Sequence, residues 1–166
     1  LLTVTGVQTC ALPISGYKDW RVISTSKRTD NNTLRVILGN DIAIKAAREG
    51  KTNPWPDGAI LGKVAWKDST HAVWKAATVP GDFIQAEFMI KDAAKYAATG
   101  GWGFARWVGM DQKPYGKDAS FVQECFGCHT PVKDNDWVFT HPVKIDRKST
   151  RLNSSHSQQS RMPSSA

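Results

Sequence analysis

The chain has 166 residues, 22 Lys and Arg against 15 Asp and Glu, and a formal net charge of +7. Its composition, 40% hydrophobic, is enough for one packed domain, and no apolar run is long enough to span a membrane as a helix. No block of Lys and Arg accompanies the positive charge, so nucleic-acid binding is not expected.

Both ends read as foreign. Residues 4–14 and 146–156 can be back-translated into strings that are largely reverse complements of each other, and these resemble a common short-read sequencing adapter. The expectation is therefore an adapter artefact at 1–15, a domain at 16–145, and a second artefact at 146–166. Ordinary disordered tails would lead to the same exclusion. Cys10 drops out with the first segment. The last segment carries Arg147, Lys148, Arg151 and Arg161 against Asp146, so its removal takes the net charge from +7 to +4. The native start of the chain, with any export leader, is expected to be missing.

Along the domain, Tyr17 to Ile23 reads as a strand or a short helix, and Ser24 to Asn32 as a polar loop. Thr33 to Leu38 is rich in β-branched residues and predicts a strand. Asp41 is a candidate N-cap for a helix over Ile42 to Glu49, with Gly50 as its stop. A turn at Asn53 to Gly58 leads into a strand over Ala59 to Trp66. A short strand is expected over His71 to Thr78 and a longer one over Asp82 to Ile90. Lys91 to Ala98 predicts a short helix closed by Gly100 and Gly101, and Trp102 to Val108 another strand. Asp111 to Asp118 reads as a loop, Ala119 to Cys128 as a helix, and Trp137 to Phe139 as an extended piece. Strands joined by short connections favour antiparallel pairing. The fold class expected is α+β, mainly antiparallel β-sheet with a few short helices.

The most informative stretch is Glu124-Cys125-Phe126-Gly127-Cys128-His129. Cys125, Cys128 and His129 form C-x-x-C-H, the attachment pattern of a c-type haem. One helical turn presents both thiols to one porphyrin edge, where they add across the vinyl groups, and His129 is set to ligate the iron. A redox cysteine pair rarely carries the following His, and a zinc site needs a second pair of ligands. With Cys10 excluded, no cysteine remains for a disulfide. One haem c, packed against the sheet, is the expected cofactor. Attachment of haem c follows export, so the periplasm is the expected location.

Alternation along the strands groups side chains by face. Thr33, Arg35 and Ile37 share a face, as do Leu61, Lys63 and Ala65, and Phe83, Gln85, Glu87 and Met89. Arg35, Lys63 and Glu87 could thus line a polar pocket beside the haem, or lie on the solvated side, or pair structurally. Lys63 stands out because both faces of its strand look buried, and a buried lysine is costly unless paired, deprotonated or covalently used. His71, His141, Met89 and Met110 are further candidate iron ligands. A ligand from any of them would make an electron-transfer site, and an open position a site for small molecules.

In order and spacing the domain resembles the cytochrome P-460 family, which includes the cytochromes c′-beta. The resemblance runs through Thr33-Leu34-Arg35, Ala46 to Lys51, Asp57-Gly58 to Lys63, Glu87 to Asp92, Gly101 to Phe104, and Cys125 to His129 followed by Asp136 to Thr140. It implies a periplasmic homodimer with an antiparallel β fold, one haem c per subunit and an open distal side. In one branch a lysine, matched by Lys63, is cross-linked to the porphyrin. A distal glutamate, matched by Glu87, assists proton removal as hydroxylamine is oxidised to nitrous oxide or nitrite-level products, and Arg35 matches a pocket arginine. A redox partner such as a small cytochrome c would take the electrons. The c′-beta branch lacks the cross-link, has an apolar distal pocket and binds nitric oxide or related gases. The bulky Phe88 and Met89 beside Glu87 could fill the distal site in that manner. A simple electron carrier is the remaining alternative.

Overall fold

The computed structural model describes residues 15–116 and 120–144. The two expected artefacts, except for Ser15, lie outside the described residues, as do 117–119. Six strands follow one another across a single sheet: β1 (Arg21–Arg28), β2 (Thr33–Gly39), β3 (Ile60–Thr70), β4 (Thr78–Lys91), β5 (Trp102–Val108) and β6 (Lys113–Pro114). Every neighbour pairs antiparallel. Helix α1 (Asp41–Glu49) bridges β2 and β3, and α2 (Phe121–His129) follows β6. The expected α+β class, built mainly on an antiparallel sheet, is what the chain adopts.

The two helices lie on one face of the sheet. There Ile23, Ile37 and Phe104 from the strands meet Ala43, Ile44 and Ala46 of α1, and Val122, Cys125 and Phe126 of α2 pack against them. The opposite face holds Ile60, Ala86, Phe88 and Ala105 with Tyr17, Trp20, Phe83 and Trp107, and neither helix reaches it. α1 starts one residue earlier than the sequence suggested. Asn40, not Asp41, is the cap: its Oδ1 accepts from Ala43 N at 3.0 Å and from Ile60 N at 3.1 Å, while its Nδ2 donates to Gly58 O at 2.8 Å. One side chain thus starts the helix and ties it to β3. Asp41 instead takes an exposed ion pair with Arg21 at 2.6 Å. Gly50 ends the helix with φ 69°, as its position predicts.

Several local expectations fail, each for a visible reason. Ser24 to Arg28 belong to β1 and are no loop, because this polar edge strand is held by its ladder to β2. Of His71 to Thr78 only Thr78 is in a strand. His71 Nδ1 accepts from Val73 N at 3.2 Å and Trp74 N at 2.9 Å, which folds the stretch into the turn between β3 and β4. Lys91 to Ala98 form no α-helix. Lys91 ends β4, Asp92 Oδ1 captures Lys95 N at 2.9 Å and Asp57 Oδ1 captures Ala93 N at 2.9 Å, so side chains take the amide groups. The expected extended piece from Trp137 to Phe139 fails at its start, since Asp136 and Trp137 both adopt positive φ, 52° and 57°. Of the expected loop Asp111 to Asp118, Lys113–Pro114 form β6. Phe83 is not on the face of Glu87: the register shifts between Ala65 and Trp66, and Phe83 joins the opposite cluster.

Candidate haem site

α2 carries the candidate attachment residues. Cys125, Cys128 and His129 stand three and four residues apart, on one side of the helix. Both cysteines are free thiols, Cys125 half-buried and Cys128 exposed. Burial pushes the Cys125 thiol above its ordinary value, although Arg106 works against it. His129 lies between Phe104 and Phe139, at ring distances of 5.6 and 5.1 Å. Its Nδ1 is 2.7 Å from the carbonyl oxygen of Trp137. A carbonyl only accepts, so Nδ1 carries the proton and Nε2 is left with a free lone pair. Burial holds the imidazole below its ordinary value, which favours that neutral form.

Facing this helix side, the strand register sets Ile37, Lys63, Glu87 and Arg106 in one row across β2 to β5. The Lys63 ammonium sits against Glu87 Oε2, and Arg106 Nε donates to Glu87 Oε1 at 2.8 Å. Burial alone would raise the Glu87 pKa. The two cations, Lys63 foremost, outweigh it and hold the carboxyl below its ordinary range. Arg106 also reaches the helix, with Nη2 4.0 Å from Cys125 Sγ and the guanidinium 4.5 Å above the Tyr115 ring. Arg35 stands in the neighbouring row, opposite Ala65, and leans on Thr33 Oγ1 at 3.4 Å. Burial, then the nearby Arg28, lowers its pKa.

Among the described residues, Arg35 Nη2, Glu87 Oε2 and Trp137 Nε1 are buried polar atoms without a hydrogen-bond partner. Glu87 Oε2 is ion-paired with the Lys63 ammonium, so the groups left unsatisfied are Arg35 Nη2 and Trp137 Nε1. Each such orphan costs about 1–3 kcal/mol when nothing satisfies it. Orphans from the sheet face and from beside α2, two free thiols one turn apart and an imidazole presenting Nε2 together fit a haem. Among the described residues no three His, Cys, Asp or Glu side chains gather into a site for a bare metal ion.

Lys63 and Glu87 are therefore in contact, with Arg35 one row away, while Cys125, Cys128 and His129 approach from the helix. The ion pair accounts for the half-buried Lys63. Phe88 points to the opposite face, where it is 2% exposed, so it cannot fill a site beside Glu87. Met89 is on the helix side but packs into the core, between Leu61 and Phe104 in the register. Met110 is 81% exposed, His141 is exposed, and His71 is engaged in its turn. Sequence reasoning missed Arg106. The alternation Trp102, Phe104, Arg106, Val108 would have set it on the same face as Glu87.

Fold and site together fit a haem-binding protein in which an antiparallel sheet, and no bundle of helices, faces the helix with the candidate attachment residues. The family model described as Cytochrome P460 matches residues 14–140, and the chain belongs to that family. Membership carries haem binding with it. No match was found among curated proteins. Among the described residues no helix is long and apolar enough to cross a membrane.

Proposed function

We propose that the chain is a mono-haem c-type cytochrome that oxidises hydroxylamine, alone or with nitric oxide, to nitrous oxide or nitrite-level products. Cys125 and Cys128 hold the haem through thioether bonds, and His129 ligates the iron through Nε2. When bound, the haem supplies an open coordination position and a route for electrons to leave. The observation that carries the reading is the link from Cys125 through Arg106 to Glu87, which sets a carboxylate on the same side of the sheet as the thiol-bearing helix.

Glu87 is ionised at rest and can accept a proton from the substrate, though its two cations keep it a weak base. Lys63 is the candidate for a further bond to the porphyrin, in which one N–H and one porphyrin C–H would give way to a C–N bond and a peroxide would take up the two electrons and two protons. A porphyrin-bound nitrogen would no longer hold a cation against Glu87, and the carboxylate would become more basic. The unpartnered Arg35 Nη2 is a donor for a substrate oxygen. Phe88, turned away, does not supply the apolar distal pocket that the gas-binding alternative needs.

The electrons pass to a redox partner such as a small cytochrome c. The chain works in the periplasm, where haem c is attached. It pairs with a second copy through the sheet face that carries Trp20, Phe83 and Trp107 and that neither helix covers; sedimentation of the haem-loaded protein tests the pairing.

The deciding experiment follows acceptor reduction by hydroxylamine in haem-loaded wild type and Glu87→Gln. A loss of about 100-fold or more is expected for a proton-accepting group. Unchanged turnover would exclude the role of Glu87. A wild type that binds nitric oxide and turns over no hydroxylamine would favour the gas-binding reading. A strongly red-shifted ferrous Soret band, with a haem peptide whose mass includes the Lys63 fragment, is the result expected of the cross-link.

A further inference from the structure

We infer that the buried Lys91–Asp136 ion pair is a positioning device for His129, acting through the carbonyl of Trp137. Lys91 and Asp136 are 6% and 5% exposed, with Nζ 2.7 Å from Oδ1. A pair this deep is weak support for stability, because desolvation offsets most of its attraction. Its geometry suggests another use. Asp136 spends every acceptor on a fixed partner: Oδ1 on Lys91, Oδ2 on Trp55 N at 2.8 Å, and its carbonyl on Trp102 Nε1 at 2.8 Å. Lys91 in turn donates to Gly100 O at 3.3 Å and lies 4.9 Å from the centre of the Trp102 ring.

These contacts clamp a stretch of backbone that would not hold its shape unaided. Asp136 and Trp137 are consecutive non-glycine residues with φ 52° and 57°. Each is a disfavoured conformation that persists only when its surroundings fix it. The Trp137 ring occupies the space beside Gly100, where a Cβ would come within 2.7 Å of it. The product of this turn is the direction of one carbonyl group, the Trp137 oxygen 2.7 Å from His129 Nδ1. That hydrogen bond sets the tautomer, the ring plane and the basicity of the imidazole. The ion pair thus tunes the iron from two residues away without touching it.

The inference rests on His129 as the iron ligand. Its test is the iron–imidazole stretching band of the ferrous haem-loaded protein in resonance Raman, with the reduction potential as a second readout. Asp136→Asn and Lys91→Met are expected to lower the band frequency and raise the potential, because a looser carbonyl makes a less basic imidazole. Should the single variants fail to fold, the double variant Lys91→Met/Asp136→Leu fills the same volume without charge, and the same shifts are expected of it. Phe88→Leu, a core change on the opposite face, is the control for destabilisation alone and should leave band and potential in place. Variants that fold, hold haem and keep the wild-type band overturn the inference. A five-coordinate high-spin ferrous wild type with no iron–imidazole band overturns the ligand assignment, and the inference with it.

Discussion

Replacing Glu87 by Gln keeps the shape of the side chain and removes the charge shared by Lys63 and Arg106. Truncating one partner of a fully buried pair costs about 3–5 kcal/mol, whereas exposed pairs contribute about 0–1 kcal/mol. Glu87 is 15% exposed, Arg106 20% and Lys63 30%, so this cluster lies between the two limits. A loss of roughly 2 kcal/mol follows, or a fall in Tm of about 5–10 °C for a domain of this size. The effect has a pH signature. The cations hold the folded-state pKa of Glu87 below the ordinary 4.5. Between the folded and unfolded values the unfolded chain binds more protons, so stability rises with pH there. The Glu87 contribution is complete above the ordinary value and disappears as pH falls through the folded one. Urea unfolding of wild type and Glu87→Gln, at neutral pH and again well below the carboxylate range, measures it. The stability gap should be open at neutral pH and closed in acid. A gap of equal size at both would refute the charge-cluster account and point to packing.

Cys125→Ala with Cys128→Ala should leave a haem that organic extraction removes, whereas the wild-type haem should stay with the chain on a denaturing gel. Phe88→Ala should cost about 3–5 kcal/mol in urea unfolding by opening a cavity, and still leave the haem spectrum of the folded protein unchanged, because its ring faces away from the site. Asn40→Ala removes the cap of α1 and a bond to β3, so a loss of at least about 1 kcal/mol is expected, with no effect on the ligand environment of the haem.

Elements whose signal is carried by apolar periodicity were legible in the sequence. Thr33 to Leu38 and Trp102 to Val108 form strands because their own side chains demand burial. Faces were legible as far as alternation runs unbroken, which made a shared pocket for Lys63 and Glu87 one of three readings; the register of β3 on β4 decides for their contact. Alternation broke down at the β4 bulge, where an irregular register turned Phe83 over. Segments ruled by side-chain capture of backbone groups were not legible. Asp92 and Asp57 diverted Lys91 to Ala98 from a helix, and His71 drew its neighbours into a turn. The charges of Arg106 and Lys91 gain meaning only from partners nineteen and forty-five positions away. No local pattern announces such pairings; strand register and the path of the last turn create them.

Every strand of the sheet pairs with its neighbour in the chain, from β1 to β6, and no connection crosses back over an earlier one. Such a sheet can close one neighbouring strand at a time, the longest step being the one from β2 to β3 that carries α1. The segment holding Cys125, Cys128 and His129 comes after the last strand and contributes none of the ladder. The scaffold can therefore assemble while this segment is still an open strand of polypeptide, accessible to whatever machinery delivers the cofactor. Docking of α2 against β5 would then be the closing event, and a haem held by Cys125 and Cys128 would be folded in with it.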